Sequence, residues 1–344
     1  MRFNGISVLM PVYCRTFSAE NIRGIRRALL SVLGQPCQIP VEITVVDDGS
    51  RFPISEQPAL KDLFRDSRVR SVRLKQNSGI VFALNTGLQA VRYDLIARID
   101  SDDAWRPGKL ATQLRRMADD PDLTIVGTGM RLIHSDRRRD EELIRPESWS
   151  GLVRFAAQVG CPFPHGSILA RRSVFELLGG YSHDAAVTHC EDYAMWIRWL
   201  RFFKGATIPE VFYEYTVSET AVSGLCARSQ QLAAETLRHA FLRLNSGEKI
   251  PEHMDRIARA LDVPLTEAGK YCFLAWRFYS VILAEAPLYD ALKVILPDRH
   301  VVPADKTAAI PHERILWFSN DAFPRHLAAD PVHTLETLQD FQEV

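Results

Sequence analysis

LIARIDSDDAW, residues 95–105, is the stretch from which the rest of the chain can be read. Leu95 to Ile99 form a short run, apolar at four positions of five, as a buried strand requires. The run stops abruptly in three carboxylates, Asp100, Asp102 and Asp103. Carboxylates crowded at the end of such a strand repel one another. Burying them costs free energy unless they are paired or bound to a cation. Asp-x-Asp at a strand end therefore suits a hard divalent metal held through oxygen. A second reading competes with it, in which Asp102 or Asp103 is the N-cap of a helix starting near Pro107. The stretch alone does not separate the two.

Working outward, the preceding residues repeat one pattern. Ile6–Val12, Val41–Val46 and Val69–Leu74 read as further strands, rich in branched apolar residues. Asn21–Leu33 and Ile80–Val91 carry apolar residues at helical spacing, and Gly34 follows the first as a C-cap. This alternation implies crossover units and a mostly parallel sheet. Ligands of such sheets bind beyond the carboxyl ends of the strands. Three strand ends carry polar candidates: Pro11 and Tyr13, Asp47 and Asp48, and the Asp100–Asp103 cluster. Two acidic strand ends in one half-domain suggest a shared polar cleft, with a nucleotide and a metal as its economical occupant. No G-x-G-x-x-G follows the first strand and no G-x-x-x-x-G-K-[ST] occurs, which argues against dinucleotide oxidoreductases and P-loop NTPases.

Further along, Lys109–Met117 reads as a helix, and Leu123–Ile133 as a strand in which Gly127 and Gly129 allow close backbone approach. Arg137–Arg139 suit a solvated turn. Trp149–Val159 and Ser173–Leu178 are helical, the latter stopped by Gly179-Gly180, with a short strand at Ile168–Ala170. Glu191-Asp192 opens an amphipathic helix whose Met195, Trp196, Trp199, Leu200 and Phe203 stripe suits core packing. Acidic residues there also complement the helix dipole. Val211–Val217 is a strand. From about Cys226 the pattern turns helical, over 232–244, 252–261, 266–286, 288–296 and 332–341. Two parts are expected: an α/β domain over 1–225 and an all-helical extension over 226–344.

Composition excludes several classes. Of 344 residues, 47% are hydrophobic, and Lys+Arg and Asp+Glu both number 42, so net charge gives no reason to expect nucleic acid as a partner. Six cysteines at 14, 37, 161, 190, 226 and 272 form no CxxC, and their spacing suits neither zinc nor a disulfide framework. Reduced thiols and a cytoplasmic location are expected. The chain enters a strand at once, so no leader is expected. The longest apolar region, Tyr271–Ala286, is broken by Arg277 and Glu285 and is too short to span a bilayer. A peripheral contact at the inner membrane face stays open.

Six segments in order, ISVLMPVY, ITVVDDGS, NSGIVFALNTGL, ARIDSDDAW with Pro107, HGSILARRSVFELLGGYS and EDYAMWIRW, resemble the family 2 glycosyltransferases with the nucleotide-diphospho-sugar transferase (GT-A) fold. They cover roughly residues 6–223. The resemblance implies a GT-A sheet sandwiched by helices and an inverting transfer of a sugar from a nucleotide-diphospho-sugar to an acceptor hydroxyl, in polysaccharide or glycoconjugate synthesis. It implies that Pro11 and Tyr13 line the base pocket and that Asp48, with Asp47 beside it, contacts the base. Uracil, and with it a UDP-type donor, is favoured, with thymine and guanine left as alternatives. It also implies that Asn85 lies near the nucleotide, that Asp100 meets the ribose, and that Asp102 holds Mn2+ or Mg2+. Asp192 becomes the catalytic base, with Glu191 and His165 on the side of a saccharide or glycolipid acceptor. Ser218 stands where the family often has a metal-binding His, a departure that bears on how tightly the metal is held. A non-catalytic nucleotide-sugar-binding module is the second reading. A sugar-phosphate nucleotidyltransferase is the third, disfavoured because Cys14–Phe17 lacks the glycine-rich phosphate loop.

Overall fold

The computed structural model describes residues 3–134, 141–183 and 189–217, with 230–231, 233–235 and 237 beyond them. Ser218, the Arg137–Arg139 turn and nearly all of the helical extension expected over 226–344 lie outside the described residues. The chain divides into two compact units. The first comprises Met1–Arg145, Phe163–Arg172 and Thr207–Leu225, the second Pro146–Pro162, Ser173–Ala206 and Cys226–Val344.

The first unit is built on a sheet. Its early strands are β1 (Ile6–Val12), β2 (Val41–Asp47), β3 (Val69–Arg73) and β4 (Leu95–Arg98). They lie in the order β3-β2-β1-β4 and every neighbouring pair is parallel. All seven residues of β1 are buried, which is why ISVLMPV reads as a continuous apolar run rather than an alternating one. The crossover helices are α1 (Ala19–Leu33) and α2 (Ile80–Ala90). Ser18 caps α1 by accepting from the Asn21 N–H at 3.0 Å. α2 packs on β1 and β2.

Beyond β4 the sheet changes direction. β5 (Ala104–Trp105), β6 (Ile125–His134), β7 (Glu141–Leu143), β8 (Leu169–Arg171) and β9 (Gly205–Val217) continue it as β4-β8-β6-β9-β5, with β7 on β6. The β4–β8, β6–β8, β6–β7 and β5–β9 pairs are antiparallel. The parallel character is thus confined to the quartet whose crossovers the first hundred residues announce. β5 and β7, two and three residues long, are too short to leave a pattern. β9 has 13 residues and starts six before the Val211 expected from apolar content. α3 (Lys109–Asp119) packs against β6.

The second unit contains α4 (Trp149–Gln158), most of α5 (Arg172–Leu177) and α6 (Glu191–Phe202). Met195, Trp196, Trp199, Leu200 and Phe203 are all buried, as the stripe predicts. Phe175 meets Trp199 edge-on at 4.9 Å between ring centroids. Arg198, also buried, donates to the carbonyls of Leu178 and Gly180 at 3.0 and 2.6 Å and so ties α6 to the glycine turn after α5.

Candidate active site

The three polar strand ends are neighbours. Pro11 pairs with Val46 and Val12 with Asp47 across β1 and β2. Leu9 pairs with Arg98 across β1 and β4, and the Ile99 N–H donates to the Leu9 carbonyl at 3.0 Å. Pro11, Asp47 and Asp100 therefore end adjacent strands, and the exposed ring of Tyr13 follows directly.

The two aspartates after β2 differ in what they hold. Asp47, fully buried, accepts from the N–H groups of Ser50 (2.8 Å) and Ile54 (3.1 Å) and pairs with Arg73 at 3.1 Å. It shapes the following loop. Asp48 gathers the loop before α2: it accepts from Ser78 N–H at 2.8 Å, Gly79 N–H at 2.9 Å and Asn77 Nδ2 at 3.0 Å. Gly49 makes this approach possible. Its φ is +67°, and a Cβ there would lie 2.2 Å from the carbonyl carbon of Gln76. Burial raises the Asp48 pKa against the lowering effect of the two backbone donors. Asn85 sits half-buried on α2.

The acidic loop after β4 separates its carboxylates by role. Asp100, two residues beyond the end of β4, forms an ion pair with buried Arg98. Asp103 is buried and caps no helix, because α3 starts at Lys109 behind Gly108, itself in the left-handed conformation without a side-chain cap. The N-cap reading of Asp102 and Asp103 is therefore corrected. Asp103 instead accepts from the Thr216 N–H at 2.7 Å and from the Tyr213 hydroxyl, clamping the end of β9. Burial, then the charges of Asp100 and Asp102, push its pKa up. Asp102 presents its surface to solvent, while its carbonyl accepts from Arg27 and from the Thr216 hydroxyl, both at 2.6 Å. Loss of hydration and then Asp100 lift its pKa to about 6. A carboxylate held near a second negative charge and facing solvent favours a cation.

Among the described residues no three His, Cys, Asp or Glu side chains gather as a metal cage. One outward carboxylate with a second nearby fits a different habit. Magnesium and manganese are commonly held by one or two carboxylates plus substrate phosphates and water. The donor set suits that use and not a tetrahedral zinc site.

His165 opens the turn His165–Ser167 and is half-buried. Burial, then the charge of Arg98, hold its imidazole well below its ordinary pKa, so it is neutral at pH 7. In the second unit Glu191 and Asp192 form the first turn of α6. Asp192 accepts from the Tyr193 N–H at 2.7 Å through one oxygen, and the Cys161 thiol donates to the other at 3.5 Å. Cys190 beside them is raised to about 12 by burial, then Asp192 and Glu191, so it stays a thiol.

Sequence reasoning missed Arg98, Tyr213, Thr216 and Arg27. Only Arg98 left a local signal, as the single charge in an apolar strand and two residues from Asp100. No helix among the described residues is long and apolar enough to cross a membrane.

Comparison with known proteins bears on the family and the fold. The chain is 32% identical over 169 residues to the O-antigen biosynthesis glycosyltransferase WbnJ of Escherichia coli, an overlap covering 49% of this chain and 63% of that one. It is similar in fold to S. aureus TarS 1–349 in complex with UDP-GlcNAc (TM-score 0.51, 16% identity, 98% of this chain and 91% of that one). It is likewise similar to the mannosyltransferase PcManGT from Pyrobaculum calidifontis in complex with GDP-Man and Mn2+ (TM-score 0.50, 17% identity, 99% and 87%). Residues 7–179, half of the 344-residue chain, match the model of the family described as Glycosyl transferase family 2. With three polar strand ends side by side on a parallel quartet and an Asp-x-Asp loop following its last strand, the chain belongs to glycosyl transferase family 2.

Proposed function

We propose that this protein is an inverting hexosyltransferase that moves a sugar from a nucleotide-diphospho-sugar, UDP-type by preference, to the hydroxyl of a saccharide or glycolipid, in polysaccharide or glycoconjugate synthesis. Residues 1–225 would carry donor handling and catalysis, and 226–344 a helical extension. The observation that supports this reading best is the outward Asp102 beside Asp100 at a strand end adjoining Pro11, Tyr13 and Asp48. The UDP-GlcNAc complex of TarS and the GDP-Man complex of PcManGT, both similar in fold, support a nucleotide-sugar as occupant.

In this reading Tyr13 and Pro11 flank the base. A carboxylate has about four acceptor sites. Asp48 uses three on its loop, leaving one for a base N–H such as that of uracil. Asp100 meets the ribose. Asp102 would hold Mn2+ or Mg2+, which when bound neutralises charge on the diphosphate. Asp192, its carboxylate oriented by Tyr193 and Cys161, takes the proton from the acceptor hydroxyl as that oxygen attacks the anomeric carbon. The bond to the diphosphate breaks on the opposite face, and the single displacement inverts the centre. A placed base contributes about 10²–10⁴-fold. His165 and Glu191 serve the acceptor side. A location on the cytoplasmic side, with contact at the inner membrane face, follows if the acceptor is a glycolipid.

The test is a thermal-shift screen of nucleotide diphosphates and their sugars with and without manganese. A ligand at a hundredfold excess over Kd stabilises by about 2.7 kcal/mol. Stabilisation by one diphosphate series, enhanced by manganese in the wild type but not in Asp102→Asn, is the expected result. No stabilisation by any member would overturn the reading. Asp192→Asn should keep donor binding and lose transfer; near-wild-type turnover would remove its role as base.

A further inference from the structure

The first unit holds a buried polar cluster that the proposed chemistry does not use. Lys109 is fully buried at the start of α3. No carboxylate among the described residues pairs with it: its Nζ donates to Gln113 Oε1 at 3.0 Å and to the Ile168 carbonyl at 3.4 Å, and lies 4.0 Å from the centre of the Trp105 ring. Gln113, equally buried, donates through Nε2 to the carbonyls of Val126 (2.6 Å) and Ser167 (2.9 Å). Trp105 Nε1 donates to the Gly166 carbonyl at 2.9 Å. Three side chains thus each grip one of three successive carbonyls, those of residues 166, 167 and 168. The far side of the turn is just as constrained. A Cβ on Gly166 would come within 2.3 Å of the Tyr213 ring. Burying an ammonium without a counter-ion is costly, and burial drives the Lys109 pKa well below its ordinary value. Apolar residues would fill the same space, yet they would release these carbonyls.

We infer that Trp105, Lys109 and Gln113 form a clamp that positions the His165–Ile168 turn, so that residues with no access to substrate set the rate of sugar transfer through His165. The inference rests on the proposed acceptor-side role of His165. Small misplacement of a reacting partner is expensive, as much as about a hundredfold for one ångström.

Trp105→Phe is the cleanest probe, since it keeps an aromatic ring beneath Lys109 while removing the donor to Gly166 along with the pyrrole part of the indole. Transfer should fall about tenfold in kcat, while the Kd for nucleotide diphosphate stays at the wild-type value. In a His165→Ala background the same substitution should cost less than about twofold, because its route to the chemistry is already gone. Gln113→Leu serves as a second variant should Trp105→Phe not fold. Independently of activity, hydrogen exchange of the Ser167 and Ile168 amides should accelerate about tenfold or more in either variant, with the amides of β1 unchanged. Equal losses in both backgrounds would overturn positioning through His165. Unchanged exchange at 167–168 would overturn the clamp itself. Should wild-type protein transfer no sugar, the exchange result still decides the clamp, and the failure belongs to the proposed function.

Discussion

Replacing Asp48 by Asn changes one atom and its charge, and the three donors around it determine the cost. One carboxylate oxygen accepts from Ser78 N–H; the other accepts from both Asn77 Nδ2 and Gly79 N–H. An amide can present its oxygen to only one side. The better orientation keeps the two-bond side and turns an NH2 toward the Ser78 N–H, donor against donor. Asp48 is 3% exposed, so the stranded amide finds little water. A buried donor left unmet costs about 1–3 kcal/mol. Removing a desolvated charge offsets part of this, since burial raises the Asp48 pKa. The net expectation is a loss of about 1–2 kcal/mol, or about 2–8 °C in Tm at the usual 2–4 °C per kcal/mol for a domain of this size. The assay is urea unfolding followed by tryptophan fluorescence, paired with calorimetry of nucleotide diphosphate binding. Both stability and affinity should fall, because the loop and the base use the same carboxylate. An unchanged urea midpoint with affinity abolished would refute the reasoning. It would mean that the 77–79 loop is held without Asp48 and that the side chain serves the ligand alone.

Other perturbations have equally definite signs. Lys109 is protonated at its ordinary pKa when unfolded, but burial pushes its pKa well below that in the folded state. Between the two values the unfolded chain binds more protons, so the Lys109 contribution makes stability rise with pH through that window and fall as pH drops. Lys109→Met should flatten that slope in urea titrations run at several pH values, and an unaltered slope would show that the ammonium is hydrated when folded. Gly166→Ala drives a methyl to within 2.3 Å of buried Tyr213 and should cost at least about 1–3 kcal/mol while weakening the hydroxyl bond to Asp103; a thermal midpoint equal to wild type would disprove the close packing. Gly49→Ala combines a φ of +67° with a 2.2 Å approach to backbone, which cannot yield as a side chain can. Limited proteolysis should then cut near 76–79 much faster than in wild type.

What could be read from the sequence was what is local. The buried strands, the crossovers between them and the polar residues at their ends follow from runs and periods within a few residues, and all three polar strand ends are adjacent in the sheet. The antiparallel half was less legible because it is assembled at long range: β8 wedges between β4 and β6, and β5 pairs with a strand more than a hundred residues later. The role of Asp103 shows the limit. A carboxylate ahead of a helical segment reads as a cap because cap partners are two or three residues away. Its actual partners, Tyr213 and Thr216, are 110 and 113 residues away.

Lys109 was hidden for a related reason. At the first position of an amphipathic helix a lysine reads as solvated, and its burial is invisible until Gln113, one turn on, and the 166–168 carbonyls are known. Asp103 and Lys109 are linked through one turn. Gly166 is gripped by Trp105 on one side and pressed on Tyr213 on the other, and Tyr213 donates to Asp103 in the acidic loop. Residues 95–105 therefore contribute to both ends of the linkage: Trp105 at its start and Asp103 at its finish. A strand end that carries both the carboxylates and the tryptophan holding their support cannot be moved piecemeal. Substitutions at Trp105 and Tyr213 should accordingly be non-additive in stability, by about 0.5–3 kcal/mol in a double-mutant cycle. Strict additivity would show that the turn transmits nothing between them.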